Sequence, residues 1–125
     1  MPDSTYSTEI ENLRISLAAE AGEGAAIKLK LTFSIAAGWK LFGTGATGGI
    51  PIALTTAEPS SLADIIMPTG DLTDTCTVTA TLRGATAGTE VTVHVQLCSG
   101  QICQRPRQIV LPVSLVPSDY AHFDG

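Results

Sequence analysis

Three cysteines stand in the chain, Cys76, Cys98 and Cys103, and two of them are spaced for chemistry. Cys98 and Cys103 bracket Ser99-Gly100-Gln101-Ile102, a C-x-x-x-x-C spacing followed by Gln104-Arg105-Pro106. Gly100 can turn the chain back, so the two Cβ atoms can approach the roughly 3.8 Å that a disulfide requires. One chemistry for such a pair is a structural staple across a hairpin, closing a short loop and contributing on the order of 2 kcal/mol by the chain-entropy account. The other is a reversible dithiol, which needs exposure to a partner and surroundings that favour the thiolate. Arg105 and Arg107, two of only seven Lys and Arg residues, supply such surroundings locally. A metal site is the third reading, because His94 precedes Cys98 by four residues. Four strand steps separate two residues by roughly 13 Å, whereas each ligand of one zinc lies about 2 Å from it, so His94 cannot join the pair unless the strand bends sharply. His122 falls in the C-terminal tail and reads as solvated, no third ligand is evident, and neither a metal nor another cofactor is expected.

The elements that must hold these cysteines read as strands. Ile27, Leu29, Leu31, Phe33 and Ile35 alternate with Lys28, Lys30, Thr32 and Ser34, the period of two of a half-buried strand. The same alternation recurs in Cys76, Val78, Ala80 and Leu82, in Val91, Val93, Val95 and Leu97, and in Ile109, Leu111, Val113 and Leu115. Cys76 therefore reads as a small buried apolar residue sharing a face with Val78, Ala80 and Leu82. Candidates at Ile10 to Ala19 and Ile50 to Thr56 bring the count to six or seven strands, which suits a single antiparallel sandwich. Turns are expected at Ala21 to Gly24, Gly84 to Gly88 and Ser99-Gly100, while Ser60 to Ile66 could form one helical turn. The sandwich is expected over residues 9–116, between a loose segment at 1–8 and a tail or linker at 117–125.

Composition removes several function classes. Twelve Asp plus Glu against seven Lys plus Arg give a net charge of −5, which disfavours a nucleic-acid partner. The longest uncharged run, Leu41 to Ala57, is broken by Gly and Pro, so no direct membrane insertion is expected. Met1-Pro2-Asp3 lacks the start of a signal peptide, although a mature domain carrying an added methionine would read the same way. The segment Gly43 to Gly49 superficially resembles a phosphate loop but lacks its Gly-Lys-Ser/Thr ending, and reads as a flexible connection. No two carboxylates are spaced for glycosidase-type catalysis.

Two segments taken together point to a family. Gly38-Trp39-Lys40-Leu41-Phe42 follows an alternating strand, and some sixty residues later comes Val93-His94-Val95-Gln96-Leu97-Cys98-Ser99-Gly100-Gln101-Ile102-Cys103-Gln104-Arg105-Pro106. The arrangement resembles the N-terminal periplasmic domain of the thiol:disulfide interchange protein DsbD family, whose motif runs aromatic-Gln-x-Cys, a four- or five-residue spacer, then Cys and a nearby Pro. Gln96, Cys98, Cys103 and Pro106 match that layout, whereas Val95 stands in place of the aromatic. The stretch aligned with the family's capping loop, Pro68 to Asp74, is short and has no aromatic.

The resemblance implies an immunoglobulin-like β-sandwich in the periplasm, acting as a protein-disulfide reductase domain. Its dithiol would take electrons from a thioredoxin-like partner and pass them to oxidised periplasmic proteins. Cys98 and Cys103 would form the working pair, with Trp39 and Phe42 as an aromatic wall beside it. Cys103 would meet the partner, because Arg105 and Arg107 lie just beyond it, and Cys98 would resolve the mixed disulfide. The alternative is a non-catalytic immunoglobulin-like interaction module in which the Cys98–Cys103 bridge is purely structural.

Overall fold

A computed structural model describes residues 4–21, 26–57, 62–83, 89–100 and 102–113. The described residues contain strands and loops and no helix, and every strand pairing is antiparallel. One sheet has five strands in the order β1 (Ser4–Ile10), β2 (Leu13–Ala21), β3 (Ile27–Ile35), β8 (Thr75–Leu82) and β6 (Leu62–Ile66). A second has three, β12 (Arg107–Pro112), β9 (Glu90–Val95) and β5 (Ala53–Thr55). Two short pairs complete the strands of the described residues: β4 (Leu41–Phe42) with β7 (Asp71–Leu72), and β10 (Cys98–Ser99) with β11 (Ile102–Cys103).

The alternation of apolar residues decides which face of each strand turns inward. From β3, Ile27, Leu29, Leu31, Phe33 and Ile35 are buried, and Leu13, Ile15, Leu17 and Ala19 of β2 and Val78, Ala80 and Leu82 of β8 join them. Val91, Val93 and Val95 of β9, Leu54 of β5 and Leu111 of β12 belong to the same apolar cluster, so the two sheets share one core as a sandwich does. No charged or polar residue is buried among the described residues. The fold is thus all-β, the antiparallel sandwich that the strand pattern implies, and immunoglobulin-like as the family resemblance implies.

Four local expectations are corrected. The strand expected at Ile10 to Ala19 is a hairpin of β1 and β2, with Asn12 at φ 69° in its turn. The reason is visible in the spacing: Ile10 and Leu13 are three apart, which no continuous strand of period two accommodates. Ser4 to Thr8, expected to be loose, are accordingly paired in β1. The helical turn expected at Ser60 to Ile66 is instead strand β6 from Leu62 onward, paired to β8 with an irregularity between Ala63 and Ile66 and Asp64 at φ 51°. The open edge of β8 offers a full ladder of hydrogen bonds, which outweighs a one-turn helical preference.

The Gly43 to Gly49 connection is anchored where flexibility was expected. Gly43 N–H donates to the Gly70 carbonyl at 2.8 Å and Thr44 N–H to the Pro68 carbonyl at 3.0 Å. A side chain on Gly43 would run into the Pro68 carbonyl, and one on Gly49 into the Phe42 ring, so these glycines permit close approach. The turn residues 22–25 and 84–88 and the tail beyond 113, with His122 and the expected boundary at 117, lie outside the described residues.

Candidate functional site

At the end of β9 the chain passes through Gln96 and Leu97 into a two-strand hairpin, and both Cys98 and Cys103 sit on it. Cys98 pairs with Cys103 and Ser99 with Ile102. Gly100, directly after the Ser99–Ile102 pair opens, adopts φ 61°, the left-handed conformation that glycine takes without a Cβ penalty. Gln104 N–H donates to the Leu97 carbonyl at 2.8 Å. Because hydrogen-bonded and non-hydrogen-bonded pairs alternate, Cys98 and Cys103 fall on a non-hydrogen-bonded pair, where opposed side chains come closest. Their Cα atoms are 4.0 Å apart and their sulfurs are joined in a disulfide.

The two halves of that disulfide live in different surroundings. Cys98 is 1% exposed, and its main chain is held on its other side by Lys40: Lys40 N–H donates to the Cys98 carbonyl at 2.9 Å and Cys98 N–H to the Lys40 carbonyl at 3.1 Å. Cys103 is exposed, as are Ile102, Arg105, Pro106 and Arg107 after it. At Ile102 the exposure is 72%, the highest of the described exposed large apolar residues. Pro106 ends the irregular stretch before β12, where Arg107 pairs with Val95.

Gln96 ties this hairpin to the rest of the molecule. Its Oε1 accepts from Ile50 N–H at 3.0 Å and its Nε2 donates to the Gln104 carbonyl at 3.2 Å. One side chain therefore fastens the glycine-rich connection to the limb that follows Cys103. Both main-chain polar groups of Gln104 are thereby engaged, its N–H by the Leu97 carbonyl and its C=O by the Gln96 side chain. The side-chain Oε1 of Gln104 is buried with no hydrogen-bond partner among the described residues.

Beside Cys98 lies a cleft of about 250 Å³, lined by Ala36, Trp39, Lys40, Thr73 and Asp74 together with Gly38, Gly100 and Cys98 itself. Trp39, the chain's single tryptophan, is half-buried there. Phe42 does not join it as the expected aromatic wall: it is 1% exposed, with its ring beneath Gly48 and Gly49. Its burial comes from the glycine-rich connection packed on the ring, and it lies outside the main apolar cluster, which takes Leu41 instead. The Lys40 ammonium reaches Asp71 Oδ2 at 2.9 Å and lies 5.7 Å from the centroid of the Phe42 ring.

Thr73, Asp74 and Lys40 were not singled out by sequence as part of the site. The only signal for the first two was their place in the stretch aligned with the capping loop, and Lys40 lay unmarked inside Gly38 to Phe42. That stretch does border the disulfide, with no aromatic side chain to cover it. His94 Nε2 is within 2.9 Å of Thr55 Oγ1, a neighbour on the adjoining strand. No cluster of three metal-ligating side chains occurs among the described residues.

Cys76 is apart from this site. It stands opposite Phe33 in the five-stranded sheet, partly buried against the core, with burial pushing its thiol pKa up. A thiol so placed is a weak nucleophile at neutral pH.

No family model matches the chain, and no curated protein matches it. Among solved structures it is similar to the N-terminal periplasmic domain of ScsB from Proteus mirabilis, with a TM-score of 0.72 at 16% identity over 96% of this chain. The fold is DsbD-like. The chain spans 55% of that ScsB domain's length. The GAE domain of GGA2p from Saccharomyces cerevisiae is also similar, with a TM-score of 0.66 at 12% identity, over 90% of this chain and 99% of that one. The GAE domain of yeast GGA1 gives 0.58 at 11% identity, over 88% and 98%. At such identities the likeness is one of fold, and a shared sandwich does not choose between functions.

Proposed function

We propose that this chain is a thiol-disulfide exchange module, relaying electrons from a thioredoxin-like partner to oxidised periplasmic proteins through Cys98 and Cys103. The observation that carries this reading is the asymmetry of the disulfide, one sulfur on an exposed limb and the other on a buried, doubly anchored one. A bridge serving only as a staple has no need of an exposed half, and a hairpin loop this short yields only about 2 kcal/mol of chain-entropy stabilisation. The likeness to a periplasmic domain supports an extracytoplasmic setting, where such a bridge persists.

The exchange proceeds in two balanced halves. A partner thiolate attacks Cys103 Sγ, the Cys98–Cys103 bond breaks, and Cys98 leaves as a thiolate that takes up a proton. The partner's second thiolate then attacks its own sulfur in the mixed disulfide, so that the partner is oxidised by two electrons and Cys103 is released. In the second half the Cys103 thiolate attacks the disulfide of an oxidised substrate protein, and Cys98 displaces the substrate's sulfur to restore the bridge. Rigid attachment of Cys98 to Lys40 keeps the resolving sulfur beside Cys103 throughout. Arg105 and Arg107, just beyond Cys103, favour its thiolate.

Equilibration of the protein in glutathione and dithiothreitol buffers, followed by alkylation and mass spectrometry, tests the reading. A potential of about −270 to −180 mV, with the fold retained on reduction, is expected. A bridge that opens only below about −300 mV, with unfolding, would assign the pair to a staple in a non-catalytic interaction module. For the two roles, trapping with a partner is expected through Cys103 in Cys98→Ala; trapping only through Cys98 in Cys103→Ala reverses them.

A further inference from the structure

The surroundings of the disulfide carry charge of opposite sign on its two sides. On the Cys98 side the cleft holds Asp74, with Asp71 nearby already neutralised by Lys40. On the Cys103 side stand Arg105 and Arg107, both exposed. The three ion pairs among the described residues use Arg14, Lys40 and Arg83, so neither of these guanidinium groups is paired there. This occurs in a chain of net charge −5, in which most cations have carboxylates to choose from. Arg105 is two residues from Cys103, at most about 7 Å of extended chain.

The same limb has two further features of a contact surface. Ile102 exposes 72% of its surface immediately before Cys103. Because Cys98 and Cys103 form a non-hydrogen-bonded pair, the main-chain N–H and C=O of Cys103 point to the outer side of the hairpin, where no described residue meets them. An extended segment could lie there, held through its main chain and oriented by its side chains.

Resting on the exchange reading above, we propose that the Ile102–Arg107 limb is the docking surface for a protein segment that carries carboxylates beside its reactive cysteine. Arg105 and Arg107 attract those carboxylates, and Asp74 across the disulfide repels them, so the segment settles on the Cys103 side. Oppositely charged surfaces raise the rate of encounter and orient it, and the effect falls away in high salt. The recognition works on the partner's flanking charge and is separate from the chemistry of the sulfur.

Two cysteine peptides, identical except for glutamates or lysines on both sides of the cysteine, test this with the oxidised full chain. Trp39, sharing the cleft with Cys98, reports bridge opening through its fluorescence. The measured quantity is the ratio of the glutamate-peptide rate to the lysine-peptide rate, corrected for each peptide's thiolate fraction and for its rate against the uncharged hydroxyethyl disulfide. We expect a ratio near 10 at about 10 mM salt, falling to about 1 in 1 M salt, where the screening length is only about 3 Å. Arg105→Glu with Arg107→Glu should invert the ratio. A ratio near 1 at low salt, or one unchanged by the double substitution, overturns the proposal. Reduction by dithiothreitol is run in parallel: a bridge that resists it under native conditions overturns the exchange reading as well, whereas ready reduction with no charge discrimination overturns this inference alone.

Discussion

The sheet that carries Cys76 and the hairpin that carries Cys98 and Cys103 are built on opposite principles. β2, β3 and β8 are joined by long continuous registers, Leu13 to Ala21 against Ile27 to Ile35 and Ile27 to Ser34 against Thr75 to Leu82. The cysteine-bearing hairpin has only two paired positions and depends on Lys40, Leu97 and Gln96 for its attachment. In the first region many cooperative contacts half-bury a thiol and push its pKa up. In the second a few individual hydrogen bonds hold a disulfide where one sulfur can be reached. The bulk of the packing and the accessible sulfur are thereby separated in space, so the second region can open without the first.

The sharpest way to break that separation is from the core. Leu31→Ala in β3 should cost about 2 to 5 kcal/mol of global stability, read by urea unfolding, while leaving the disulfide potential in place. A large potential shift would show that the two regions are one. Gly43→Ala should cost about 1 to 3 kcal/mol, because the added methyl meets the Pro68 main chain. That loss should come with greater amide exchange around Lys40 and Cys98 than in β3.

Gln96→Glu sharpens the comparison from the hairpin side. The carboxylate keeps its acceptor for Ile50 N–H but has no N–H to give the Gln104 carbonyl. Loss of about 1 kcal/mol of hydrogen bonding should free the Cys103 limb mainly in the dithiol form, making the potential less negative by about 20 mV, with little change in the urea midpoint. Gln96→Ala should do at least as much and also loosen the glycine-rich connection.

The smallest effect concerns Cys76. Its thiol binds a proton more tightly folded than unfolded, so the folded state is favoured fully below the ordinary thiol pKa and loses that contribution as pH rises through the raised one. A stability decline above about pH 9 should therefore be shallower in Cys76→Ala than in the parent chain, as followed by urea unfolding across that range. An equal decline in both would remove Cys76 from the account.

The sheets were largely legible because one face of each long strand is buried, and period two is then written into residues such as Ile27 to Ile35. What sequence hid were pairings between short segments. β4, β7 and β10 have two residues each, too few to show any period, and Leu62 to Ile66 became a strand through an edge supplied by β8. Within the site, the cysteine pair and Gln96 were legible by spacing and motif. Lys40 and Asp74 were not, because their places beside Cys98 come from a main-chain bridge and a cleft that join distant parts of the chain.

The even number of residues between the two cysteines has a consequence for how this chain can vary in length. With Ser99 opposite Ile102, four intervening residues bring both sulfurs to the same side of the ribbon and level with each other. One inserted residue would reverse every side chain beyond it and send Cys103 to the opposite side, unless the extra residue were absorbed as an irregularity in the strand. Parity makes the spacer a ruler, and an odd count would have to be taken up by a different turn or by a kink in the strand.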